Sequence, residues 1–137
     1  FNEIDLDPCS SGKENTTVPA RKYFTSTDNG LTKKWGGKVY MNPPYGKELR
    51  DWTVKLIDEY ERGNVTEAIA LVPSRTDTRW FQELKKYPKC FVWGRLRFGD
   101  QNPAPFPSMA VYLGNRVDDF NRCFSELGDV YVAYWGL

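Results

Sequence analysis

The chain has 137 residues, 40% of them hydrophobic, and 19 Lys and Arg against 18 Asp and Glu leave a formal charge of +1. That length fits a single domain, 1–137, with enough apolar material for a core, and the near-neutral balance excludes a globally basic nucleic-acid coat. No apolar stretch approaches the roughly 20 residues that cross a bilayer, and the opening "FNEID" has no basic segment leading into an apolar one, so neither a membrane span nor a signal segment is expected.

Ile4 and Leu6 alternate with Asp5 and Asp7 and predict a strand that runs into the turn-rich loop "DPCSSGKEN". The chain opens at Phe1 rather than Met, just before this strand, so a leader with a functional part is expected upstream. Residues 9–37 read as irregular, punctuated by Pro19, Asn29-Gly30 and Gly36-Gly37. Val39, Tyr40 and Met41 predict a buried strand over 38–41, and the two prolines after Asn42, which lack the N–H a sheet ladder needs, end it. Leu49, Trp52, Leu56, Ile57 and Tyr60 follow at near-helical spacing and predict a helix over about 48–62, closed by Gly63. "NPPYG" is therefore a rigid strand-to-helix corner.

"EAIALVP" reads as the next strand and "DTRWFQELKKY" as a short helix with Thr76 or Asp77 as its cap. "CFVWGRLRF" and "SMAVYLG" read as strands, "VDDFNRCFSELG" as a helix and "DVYVAYW" as a last strand. Strand and helix alternate in the middle while the later strands are free to pair directly. The expected class is α/β, with a mixed, mostly parallel sheet, an antiparallel edge and flanking helices.

Three cysteines, Cys9, Cys90 and Cys123, are widely spaced and no histidine accompanies them, so neither a zinc site nor a disulfide framework is expected, and a cytoplasmic location is the default. Charge is unevenly placed. Arg75, Arg79, Lys85, Lys86, Lys89, Arg95 and Arg97 crowd one stretch against only Asp77 and Glu83, and Trp80, Phe81, Tyr87, Phe91 and Trp93 interleave with them. This pattern suits phosphates and bases; it equally suits a helix with a solvated basic face followed by a strand with core aromatics.

In open α/β sheets, ligands sit at the carboxyl ends of the strands, and the loops Asp7 to Gly12 and Asn42 to Gly46 each follow a strand, so both are candidates for one cleft. Asn42-Pro43-Pro44-Tyr45 resembles the hallmark of the amino-methyltransferases that use S-adenosylmethionine: Asp, Asn or Ser, then Pro-Pro, then an aromatic. The ordered set "IDLDPCSS" (4–11), "YFTSTDNGLTKKW" (23–35), "NPPYG" (42–46), "LVPSRTDTRWF" (71–81), "GRLRFG" (94–99) and "APFPS" (104–108) is similar to the phage and prophage DNA N6-adenine methyltransferase family of the Dam type. The likeness extends to about residue 113.

The resemblance implies a single-domain, Rossmann-like methyltransferase fold that transfers a methyl group to the 6-amino group of a flipped adenine in double-stranded DNA. It implies a phage- or prophage-encoded enzyme in a bacterial host, S-adenosylmethionine as cofactor and no metal. It assigns catalysis to Asn42, Pro43, Pro44 and Tyr45. An exocyclic adenine amine is a poor nucleophile because its lone pair is delocalised into the ring. The Asn42 side-chain oxygen and the Pro43 carbonyl would accept its two hydrogens and aim the lone pair at the methyl group, while Tyr45 stacks on the base. On the cofactor side it points to Asp7, Pro8, Cys9 and Ser10, with Asp7 at the methionine end. Asp28, 14 residues before Asn42, is either the acid on the cofactor adenine or part of a plain Asp-Asn-Gly turn.

Arg75 and Arg79, just after "AIALVP", and Arg95 and Arg97, alternating along a strand, are the candidate DNA contacts, helped by the long polar loop "GDQNPAPFP". The competing reading makes these arginines surface ion pairs with Asp77 or Asp100. Within methyltransferases, cytosine 4-amino and protein glutamine amide groups need the same rehybridisation and are the alternatives. A non-catalytic nucleic-acid-binding relic is the other class.

Overall fold

In the computed structural model, which describes residues 3–10, 19–95 and 107–132, the chain is built on β3 (Gly37–Met41) and β4 (Val65–Pro73). Val39, Met41, Ala68, Ala70 and Val72 are fully enclosed, as strands covered by helices require. Around them lie β1 (Ile4–Asp7), β2 (Ala20–Tyr23), β5 (Lys89–Val92), β6 (Ser108–Leu113) and β7 (Gly128–Tyr131), giving a seven-stranded order β2-β1-β3-β4-β6-β5-β7 among the described residues. β2, β1, β3 and β4 pair in parallel, and β6, β5 and β7 continue from β4 by antiparallel pairing. The sheet is mixed, as expected, but antiparallel pairing takes half of it rather than an edge.

Helix α1 (Leu49–Glu61) lays Leu49, Trp52, Thr53, Leu56 and Glu59 on the sheet, an i, i+3, i+4, i+7 stripe. It stops where the chain turns left-handed at Gly63 (φ 84°), with Gly63 N–H donating to the Tyr60 carbonyl and Asn64 N–H to that of Glu59, both at 3.0 Å. Helix α2 (Arg79–Glu83) packs beside it, and the two share a core with Trp80, Leu84 and Tyr87. Its cap is Thr78, not Thr76 or Asp77: Thr78 is extended, and its hydroxyl oxygen accepts from Phe81 N–H at 3.3 Å. Helix α3 (Val117–Phe124) covers the other face through Phe120, which stacks on Tyr112 at 5.2 Å. Glu67 locks it there: Arg116 donates to both carboxylate oxygens at 2.8 and 2.7 Å and the Tyr112 hydroxyl donates to one of them. Burial alone would raise the Glu67 carboxyl, but the Arg116 and Tyr112 hydrogen bonds override it and hold it below its usual value.

Further expectations need correction. Residues 20–23, read as irregular, form the parallel edge strand β2, whose Arg21 and Lys22 hide the apolar alternation that marks a strand. The strand read into "CFVWGRLRF" ends at Val92, so Arg95 is exposed beyond it. Arg97 and most of the loop "GDQNPAPFP" lie outside the described residues. Among the described residues no helix is long and apolar enough to cross a membrane, and no group of three or more His, Cys, Asp or Glu side chains is placed to hold a metal.

Lys89, read with the basic stretch, is instead buried. Its ammonium donates to the carbonyls of Leu84 (2.8 Å) and Tyr87 (2.9 Å), and burial pulls its pKa down to about 8. Between pH 8 and the unfolded value of about 10.4, the unfolded chain holds a proton that the folded chain has released, so stability rises with pH there, by at most about 1.4 kcal/mol per pH unit. Denaturant melts across pH 7.5–10.5 should show this rise for the parent relative to Lys89→Met; identical pH profiles would contradict it.

Candidate active site

β1 and β3 are neighbours running the same way, with Leu6 opposite Val39, so their carboxyl ends lie side by side. Each is followed by a buried proline, Pro8 after Asp7 and Pro43 after Asn42, and the chain leaves the sheet at both points. The loop of residues 8–10 is held close to β2, with Ser10 N–H donating to the Phe24 carbonyl at 2.9 Å. Asp7, 1% exposed, accepts from Cys9 N–H at 3.3 Å and lies behind this loop instead of lining the cleft.

A third wall comes from residues 25–30. The Asp28 carboxylate accepts from Thr25 N–H (2.9 Å) and Thr25 Oγ1 (3.2 Å), and these bonds hold its pKa below the ordinary value. One oxygen of its carboxylate thus closes a turn, and the residue is not among those that line the cavity. Asn29 turns left-handed (φ 56°), which brings Gly30 against the first loop. A Cβ on Gly30 would stand 2.1 Å from the Pro8 carbonyl oxygen and 3.2 Å from the Trp52 ring. Trp52, from α1, stacks on Trp35 at 6.0 Å, and Trp35 is tied down by its indole N–H on the Gly30 carbonyl and its backbone N–H on Glu59, both 2.8 Å.

These walls enclose an open cavity of about 810 Å³, lined by residues 8–10 (Pro8, Cys9, Ser10), by Thr25, Ser26, Asn29 and Gly30, by Asn42, Pro43, Pro44 and Tyr45, and by Glu48 and Trp52 at the start of α1. Asn42 is half-buried, and its amide makes no side-chain hydrogen bond to any described residue, unlike an Asn that merely closes a turn. Tyr45 packs its ring against the core with its hydroxyl enclosed near Ser108; burial, with a smaller push from Cys9, raises its pKa to about 12 while the Ser108 hydroxyl partly offsets this.

The geometry therefore gathers Pro8, Cys9, Ser10, Asn42, Pro43, Pro44 and Tyr45 into one cavity and leaves Asp7 and Asp28 behind its walls. A family model for DNA N-6-adenine-methyltransferase (Dam) matches residues 1–110. The chain belongs to the Dam family. A search of curated proteins finds no match. The Dam match covers every strand and loop of the cavity and stops within β6, before α3 and β7.

Sequence reasoning missed Thr25, Ser26, Asn29, Gly30, Glu48 and Trp52 as lining residues of this cavity in a Dam-family chain. Asn29-Gly30 carried a turn signal and Trp52 a helix-face signal, but neither pattern tells a wall of a cavity from ordinary packing. Arg75 and Arg79 are exposed just beyond β4, whose carboxyl end lies beside that of β3. Within the basic stretch, Trp80 and Tyr87 are core, Lys86 pairs with Glu61 at 3.1 Å, and Trp93 stands 61% exposed.

Gly30→Ala should destabilise the fold by about 1–3 kcal/mol, because the Pro8 loop must shift to admit the methyl group. Gly36→Ala, whose Cβ would meet only the Asn64 carbonyl oxygen at 3.6 Å, is the control and should stay within about 1 kcal/mol of the parent. Equal urea midpoints for the two variants would contradict the close seal between residues 8 and 30.

Proposed function

We propose that the chain is a single-domain, Rossmann-like, S-adenosylmethionine-dependent methyltransferase that modifies the 6-amino group of adenine in double-stranded DNA. The observation that carries this is the meeting of the Asn42 to Tyr45 corner and the loop of residues 8–10 in one cavity, in a chain of the Dam family. The cavity's size is ordinary for a cofactor-sized ligand together with a base, and its walls mix apolar rings with Ser10, Thr25, Ser26 and Asn29. The bound cofactor supplies an electrophilic methyl group on sulfur.

The chain's own part is to hold and orient. Asn42 Oδ1 and the Pro43 carbonyl accept hydrogen bonds from the two amine N–H groups, drawing the nitrogen towards tetrahedral geometry and its lone pair out of the ring. As the new N–C bond forms and frees the methyl donor as a neutral thioether, the nitrogen sheds one of its protons to solvent. Pro43 and Pro44 fix the backbone so that these two acceptors keep their spacing. Tyr45 offers a ring to the extruded base, with its hydroxyl enclosed near Ser108. Residues 8–10 receive the methionine end of the cofactor, with Asp7 bracing the loop through Cys9 N–H. Residues 25–30 face its adenosine, shaped by the Asp28 turn. Arg75, Arg79, Arg95 and Arg97 meet the phosphates of a duplex lying over the cleft, inside a bacterial cytoplasm.

Asn42→Ala is expected to lower methyl transfer by about a hundredfold or more while leaving S-adenosylmethionine affinity within about twofold, because Asn42 serves the target amine. Calorimetry and a filter-bound transfer assay on the same preparation read both quantities. Wild-type turnover in the variant would overturn the assignment.

A further inference from the structure

The cleft does not exhaust the carboxyl end of the sheet. β5 and β4 are both antiparallel to β6, so they run the same way, and the end of β5 emerges on the side where β3 and β4 release Asn42 and Arg75. The ladder continues one residue past β5, with Trp93 N–H donating to the Leu127 carbonyl at 3.0 Å. Alternation places Trp93 on the face of Phe91, which packs into the same core as α1 and α2. Trp93 is nevertheless 61% exposed and Leu127 beside it 53%. An uncovered indole next to an uncovered leucine is costly to leave in water and marks a contact surface.

Its surroundings carry arginines towards the cleft end of the sheet, with Asp77 between Arg75 and Arg79 and Glu126 adjoining Leu127 as exposed acids. Arg79 on α2 shares this face, Arg75 this end of the sheet, and Arg95 follows two residues on; all three are exposed. The acid in the ladder, Asp129, stands opposite Phe91, two positions further from the cleft end than Trp93. Three strand spacings separate β3 from β5, about 14 Å, less than half a turn of duplex at roughly 34 Å per turn.

We propose that Trp93, with Leu127 beside it, is an apolar contact for duplex DNA held over the cleft, its indole stacking on deoxyribose or on a base face that extrusion of the target leaves open, with exposed arginines nearby. This rests on the adenine-methyltransferase reading and adds to it a residue that reaches bases or sugars instead of phosphates. A second copy docking along the β7 edge is the competing occupant.

The experiment measures binding of a fluorescein-labelled mixed-sequence duplex across a salt series for the parent, Trp93→Ala, Trp93→Phe and Leu127→Ala, with sedimentation of each protein alone. Trp93→Ala should weaken binding at least about fivefold at every salt concentration without changing the slope of log affinity against log salt, because a stacked ring releases no counterions. Trp93→Phe should recover most of the loss, and Leu127→Ala should give a smaller loss with the same slope. Because both side chains are exposed, thermal melts should match the parent. Parent-like affinity in Trp93→Ala, in a protein whose parent binds duplex, overturns the stacking contact and leaves the methyltransferase reading standing. A parent that binds no duplex overturns both. A parental dimer that Trp93→Ala converts to monomer assigns the patch to a second copy and overturns the proposal.

Discussion

The site depends on one pairing: β1 beside β3, parallel, with Leu6 opposite Val39. Because the strands run together, the residues that follow them emerge at one level, and because each is followed by a proline, neither chain can extend the ladder. A shift of one residue in this register would turn Val39 and Met41 out of the core and swing Asn42 away from the loop of residues 8–10. The enclosure of Val39, Met41 and Leu6 therefore specifies the cleft as well as the core.

Behind the cleft, the packing is arranged to keep that corner stiff. Trp52 and Trp35 stack beneath it, Glu59 and Gly30 fix Trp35, and Gly30 in turn lies against Pro8, so α1, the 25–30 wall and the first loop are tied to one another. The opposite face is secured separately by Glu67, Tyr112 and Arg116, which fasten α3 without touching the cavity. This division lets α3 and β7 lie beyond the Dam match while the cavity lies wholly within it. It also leaves the β5–β7 edge free to carry a surface of its own.

Much of this was legible in the sequence because the signals were local. Proline after an apolar run, helical spacing from Leu49 to Tyr60 and alternation from Ile4 to Asp7 each report a constraint that neighbouring residues impose. β2 was not legible, since an edge strand carrying Arg21 and Lys22 has little apolar pattern to show. Lys89 was misread for a related reason: a lysine between aromatics looks basic and solvated until the carbonyls of Leu84 and Tyr87 are folded over it. Asp7 and Asp28 drew attention as acids near motifs, and in each one oxygen accepts from a nearby backbone N–H, a choice that only three-dimensional turn geometry reveals. Gly30 lay inside a family-like stretch with no side chain to mark it; its importance is a matter of close approach to Pro8.

The central claim is that this corner holds an adenine amine. Its most direct measurement is incubation of the protein with methyl-labelled S-adenosylmethionine and double-stranded DNA of mixed sequence, followed by digestion to nucleosides and chromatography of the label. The account predicts that the label co-migrates with N6-methyldeoxyadenosine; label on 4-methylcytosine, on protein, or nowhere would contradict it.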